Sequence, residues 1–206
     1  DVFLDEIFKI DDMKISIKTR IGKDNPEEFY ELIKIYNKYP IEELIIHPRT
    51  QKDFYGNKPN LEVFKDALSL STNPVCYNGN IFTVEDHDKL IKAFPELKTV
   101  MFGRGILANP GLLDSIKNNT NLDKKVLKDF HDEILNTYIE VYNEEKNAIF
   151  RMKELWGYMI YIFSDNKKHA KKIKKSQKLS DYNAAVLSLF EEQEIIEGAG
   201  LFYNQY

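Results

Sequence analysis

MFGRGILANP, residues 101–110, gathers two glycines, an arginine, an asparagine and a proline into ten positions of a 206-residue chain with only 9 Gly and 7 Pro. Val100, Met101 and Phe102 read as the tail of a buried strand. Gly103, Arg104 and Gly105 then turn the backbone into a segment expected to be helical from Pro110 onward. Glycines between a strand and a helix let peptide N–H groups approach an anion, and arginine adds a planar fork suited to phosphate. The competing reading is a tight turn with a solvated arginine. Short glycine motifs do not decide between the two, so the rest of the chain must.

Outward from this stretch, four β-rich runs occur with helical patterns between them. They are MKISIKT (13–19), EELIIH (42–47), NPVCYN (73–78) and KTVMFG (98–103). PEEFYELIKIYNKY (26–39) sets Phe29, Leu32, Ile33 and Tyr36 on one helical face, with Pro26 suited to a first turn. NLEVFKDALSL (60–70) repeats the pattern, and TVEDHDKLIKAF (83–94) opens on Thr83 as an N-cap. Strand and helix alternating at this period predict parallel βαβ units, with strands apolar on both faces. After a polar NNTN (118–121) the remaining patterns are all helical, and Ser180 is expected to cap the last helix. The fold class is therefore α/β followed by all-α, with domains at 1–117 and 121–206. Four βα units make half of an eight-unit barrel, so the expectation is the second half of a TIM barrel whose first half lies elsewhere. Open strand edges make self-association of such a chain an expectation as well.

Composition narrows the function classes. Hydrophobic residues make up 43% of the chain, enough for a core, and the net charge of −4 excludes a general polycation. NKKHAKKIKKSQK (166–178) nevertheless holds seven lysines, a local reversal of sign. The single cysteine, Cys76, excludes an internal disulfide, fits a reducing cytoplasm and reads as a small buried strand residue. No run is long enough to span a membrane, no signal peptide is legible, and DVFLDEIFKIDD at the start reads as the end of a helix. The four histidines lack metal-ligand spacing, and His87 and His131 are expected to be solvated on helices. No nucleophile motif is present.

In βα folds, ligands collect at the carboxyl ends of strands. Those ends carry Lys18 with Arg20, His47 with Arg49 and Thr50, Asn78 with Gly79 and Asn80, and Gly103 with Arg104 and Gly105. Four cationic or hydrogen-bonding rims on one side predict a shared site for an anionic cofactor bearing a phosphate.

In this order and spacing, ISIKTRIG, IIHPRTQKDFYG, PVCYNGNI and VMFGRGILANP resemble the second half of a tRNA-dihydrouridine synthase. RMKELWGYMIYIF with the lysine cluster is similar to that family's helical RNA-binding domain. The resemblance implies a barrel holding FMN that reduces a tRNA uridine with NADPH as reductant. It implies Lys18 at the flavin's pyrimidine edge, where positive charge meets the negative charge of reduced flavin. His47 is implied beside the flavin and the incoming base, and Asn78, Gly79, Asn80, Gly103 and Arg104 around the phosphate. Arg49, Lys171, Lys172, Lys174 and Lys175 are expected to contact RNA. Pro48 stands where the family commonly has glycine, and Asn80 where it has aspartate. The family's loop cysteine, its general acid, has no match in Cys76, so this chain alone is expected to be inactive. Two alternatives stay open: a flavin oxidoreductase of the dihydroorotate-dehydrogenase kind, and a non-catalytic RNA-binding piece. Trp156 and Tyr158 are expected in the core rather than stacked on bases.

Overall fold

The computed structural model describes residues 2–10, 12–54 and 56–200. The chain runs through α1 (Val2–Ile7), β1 (Ser16–Gly22), a 3-10 turn (Pro26–Glu28), α2 (Phe29–Tyr36) and β2 (Glu43–Thr50). It continues through α3 (Leu61–Leu70), β3 (Val75–Asn78), α4 (Val84–Ala93) and β4 (Thr99–Met101). Thereafter come α5 (Arg104–Ala108), α6 (Leu112–Asn118), α7 (Lys124–Tyr142), α8 (Glu145–Met159), α9 (Lys167–Lys175) and α10 (Leu179–Glu192). The strands form one parallel sheet in the order β1-β2-β3-β4, consistent with part of a TIM barrel. The helix expected from Pro110 begins instead at Arg104, inside the glycine segment, and α6 follows after a turn.

The chain folds as two compact units. One comprises the chain up to Asn80 with Lys89–Gly103; the other comprises Ile81–Asp88 and the chain from Arg104. Composition placed the change of character near residues 118–121. Compactness changes at Arg104, because Ala108 of α5 packs with Phe82, Tyr158 and Tyr161 among the helices.

In the sheet unit, Asn25 starts the 3-10 turn with a capping box, its side chain accepting from the Glu27 N–H while Glu28 returns to the Asn25 N–H. Phe29 and Ile33 are the buried face of α2, as the spacing predicts, with Leu32 and Tyr36 half-buried. Phe64 of α3 sets its ring edge-on to Tyr77 of β3 and Phe94, at centroid distances of 4.8 and 5.3 Å. One expectation fails here. The strands are not apolar on both faces, since β1 alternates and leaves Ser16 and Lys18 exposed. β2 is buried from Leu44 to Thr50 because it has a strand on either side.

Thr83 caps α4 as expected: its Oγ1 accepts from the Asp86 N–H at 3.1 Å, and the Asp86 carboxylate accepts from the Phe82 and Thr83 N–H groups. In the helical unit, Leu127, Leu135, Met152, Trp156, Phe163, Ile173, Tyr182 and Leu189 belong to one buried cluster. Trp156 is core, 4% exposed. Ser180 does not cap α10. Lys178 holds the N-cap position, and Leu179 packs on the cluster, drawing the first turn earlier. His131 is not solvated, contrary to expectation. It is 1% exposed and lies within a buried hydrogen-bond chain with Tyr182 and Trp156.

Candidate functional site

Strand register decides which polar residues share a face of the sheet. Lys18 pairs with Ile45, Ile45 with Cys76, and Cys76 with Thr99, so these four form one row across the sheet. Two residues on, the same face carries Arg20 paired with His47, and Asn78 paired with Met101. The opposite face carries Thr19, Ile46, Tyr77 and Val100. Lys18, His47 and Asn78, expected from sequence to share one site, therefore lie on one face, but Lys18 is the third residue of β1 and sits two residues short of the row that carries His47 and Asn78 toward the strands' carboxyl ends.

Partial burial and the neighbouring Arg20 guanidinium hold the Lys18 ammonium below its ordinary value. Arg20 itself donates to the Thr50 carbonyl at 2.6 Å, where the β1–β2 register shifts between Arg20 and Gly22. His47 is 7% exposed, and Cys76 is buried below it, its thiol pushed up by burial. A thiol so placed lacks the accessible, electropositive setting of a reactive cysteine.

Arg49 departs from expectation. It is fully buried, with Nη1 3.2 Å from the Asn80 Oδ1 and 3.4 Å from His47 Nε2. A guanidinium enclosed in this way orients Asn80 and does not reach an RNA backbone. Asn78 is likewise partly structural, its amide donating to the Met101 carbonyl at 2.9 Å and stitching β3 to β4.

The glycines divide by cause. A Cβ at Gly79 would lie 2.1 Å from the hydroxyl of buried Tyr77, so glycine is required there by packing. A Cβ at Gly105 would lie 2.0 Å from the Ile81 carbonyl oxygen, a backbone approach that admits no side chain. Gly103 is different: a Cβ there meets nothing within 4 Å, and the residue is exposed. Arg104, the first residue of α5, places its guanidinium 5.5 Å from the Phe82 ring centroid.

In the helical unit, α9 is held by buried His169 and Ile173, and Lys171, Lys172, Lys174 and Lys175 are exposed on it. Three of these sit in the last turn, where cations also complement the helix dipole. Among the described residues no group of His, Cys, Asp and Glu could hold a metal, and no helix is long and apolar enough to cross a membrane. The His131–Tyr182–Trp156 chain is invisible in the sequence, because residues 51 and 26 positions apart give no local signal.

The family model for dihydrouridine synthase (Dus) matches residues 4–199. A probable tRNA-dihydrouridine synthase of Helicobacter pylori strain J99 is 28% identical over 199 residues, covering 92% of this chain and 53% of that protein. tRNA-dihydrouridine synthase B of Pasteurella multocida is 28% identical over 168 residues, covering 76% and 49% respectively. A tRNA-dihydrouridine(16) synthase of Vibrio vulnificus is 28% identical over 106 residues, covering 51% and 33%. The chain thus spans about half the length of the first two relatives.

Proposed function

The chain belongs to the dihydrouridine synthase family, and from that premise we propose that it is part of an enzyme reducing uridine to 5,6-dihydrouridine in tRNA, with FMN as cofactor and NADPH as reductant. The observation that carries this reading is the register of Lys18, Arg20, His47 and Asn78 on one sheet face. The donor set is cationic and hydrogen-bonding, which fits an anionic, carbonyl-rich flavin. The open space at Gly103 fits a close backbone approach by a phosphate. When bound, the flavin supplies the hydride that adds to the uracil ring.

The residues of this chain bind and orient. Lys18 holds positive charge toward the flavin's pyrimidine edge. Partial burial first, and Arg20 second, disfavour its charge, and an anion placed beside it would offset both. His47 sits beside the flavin and the uracil, held by Arg49. Asn78, Gly79, Asn80, Gly103 and Arg104 are assigned to the phosphate, with Arg49 fixing the Asn80 amide. Cys76 donates no proton to substrate, so the acid is supplied by another part of the protein. By itself this chain is proposed to be inactive. The α9 lysines are assigned to the tRNA backbone.

Flavin fluorescence titration of the full-length protein tests the cofactor assignment. Wild type should bind FMN, and Lys18→Met and Arg104→Ala should each weaken binding about tenfold or more, as removal of one charge-assisted hydrogen bond requires. Unchanged affinity in both variants would sink the assignment.

A further inference from the structure

Phe54 is an exposed aromatic in a backbone conformation that a bulky side chain rarely adopts. It follows β2, its φ is +48°, and it is 71% exposed. The surrounding hydrogen bonds hold it there. The Asp53 carboxylate accepts from the Thr50 N–H at 2.7 Å, from the Thr50 hydroxyl at 2.9 Å and from the Asn57 amide at 2.5 Å. The Phe54 N–H reaches the Gln51 carbonyl at 3.3 Å, and Arg20 lies 3.5 Å from the Phe54 carbonyl while gripping that of Thr50. A left-handed residue fixed by its neighbours, with a hydrophobic ring presented to water, gains nothing for the fold.

The ring has a basic setting. Lys52 and Lys58 flank it in sequence, and Lys23 is brought to the same loop by the Lys52 N–H bonding the Lys23 carbonyl at 3.1 Å; all three are exposed. The nearby carboxylates are largely engaged, Glu28 by the N–H groups of Lys23, Asp24 and Asn25, and Asp53 by Thr50 and Asn57. Asp24 remains as an exposed acid beside Lys23. An exposed aromatic among lysines, on the loop that follows β2 and is tied to Arg20 of β1, has the composition of a surface for unpaired nucleotides.

We infer that Phe54 is a stacking platform for an unpaired base of the RNA substrate, with Lys23, Lys52 and Lys58 neutralising the phosphates beside it. The inference rests on the tRNA reading above and adds to it a residue that contacts a base.

The test compares a twelve-nucleotide single-stranded RNA, an RNA duplex of equal length and unfractionated bacterial tRNA, binding to the full-length protein by fluorescence anisotropy. Phe54→Asn removes the ring with a residue that tolerates left-handed backbone, and Phe54→Trp retains a stacking ring. Phe54→Asn should weaken single-strand and tRNA binding by about 5- to 150-fold, the equivalent of about 1–3 kcal/mol per stacked base, and leave the duplex unchanged. Phe54→Trp should restore binding, and its indole emission should be quenched by the single strand. Equal affinities of wild type and Phe54→Asn, or equal weakening for single strand and duplex, would overturn the platform while leaving the tRNA reading intact. A wild-type protein that binds none of the three RNAs would overturn both.

Discussion

Arg49 and Asn80 meet inside the sheet unit, the guanidinium Nη1 donating to the amide Oδ1 across 3.2 Å with Arg49 wholly buried. That hydrogen bond turns Arg49 inward, to the support of Asn80, a candidate site residue. Arg49→Met keeps much of the stem's packing but withdraws the donor from a buried acceptor. Stability should fall by about 1–3 kcal/mol in urea melts, while the salt dependence of tRNA binding stays at its wild-type value. A changed salt slope with unchanged stability would return Arg49 to the RNA interface.

Gly105 and Gly103 separate packing from ligand approach. Gly105→Ala drives a Cβ into the Ile81 carbonyl and should cost about 1–3 kcal/mol in thermal melts. Gly103→Ala meets no protein atom, so its melt should be unchanged and its defect should appear in FMN affinity. Equal destabilisation by the two substitutions would contradict the division.

Tyr182 joins two elements by one hydroxyl. It accepts from Trp156 Nε1–H at 2.8 Å and lies 2.7 Å from His131 Nε2; the neutral imidazole gives its Nδ1 proton to the Asp132 carboxylate, so Nε2 accepts the tyrosine proton. Tyr182→Phe leaves a buried indole N–H and a buried imidazole nitrogen without that partner. The helical unit should be destabilised by about 1–3 kcal/mol, read by denaturant unfolding followed at Trp156.

His131 makes the same unit sensitive to mild acid. Burial holds its imidazole below the ordinary 6.5, against the opposing pull of Asp132. The unfolded chain therefore takes up the proton first, and stability rises with pH through this window. Its contribution is complete above about 6.5 and is lost as pH falls from there toward the lower folded value. Asp132, held low by Lys128 and His131 despite its burial, loses its contribution only further down, below the ordinary 3.8. Melting temperature should drop between about pH 7 and pH 5, and a flat profile there would contradict the neutral, buried imidazole.

The exposed lysines of α9 should be visible in salt dependence. Replacing Lys171, Lys172, Lys174 and Lys175 with glutamine should flatten the log–log salt slope of tRNA binding by roughly 0.7 to 0.9 for each phosphate that is no longer neutralised. All tRNAs should weaken alike, since phosphate contacts carry no sequence information. An unchanged slope would make these lysines an ordinary solvated helix end.

Local pattern carried most of the fold into the sequence. Hydrophobic runs located all four strands, and Thr83 and Pro26 marked helix starts that the structure bears out, while the Asn60 cap of α3 went unread. Strand ends were less legible, because ladder partners set them rather than apolar residues. β1 runs on to Gly22, which pairs with Thr50, and β2 continues through the polar His47, Arg49 and Thr50. Individual polar fates were the least legible. Lys18 and Arg49 are both strand cations, yet Lys18 lies early in β1 and exposed while Arg49, near the end of β2, is buried against Asn80. His131 reads as a surface histidine until Tyr182, far along the chain, is folded against it.

Whether the full-length protein reduces a uridine is decided by nucleoside mass spectrometry of undermodified tRNA incubated with that protein, FMN and NADPH. A uridine should gain two hydrogens, Lys18→Met should suppress the gain, and the 206-residue chain alone should produce none. A flavin-loaded full-length protein that oxidises NADPH and binds tRNA while leaving every uridine unreduced would contradict the proposed activity.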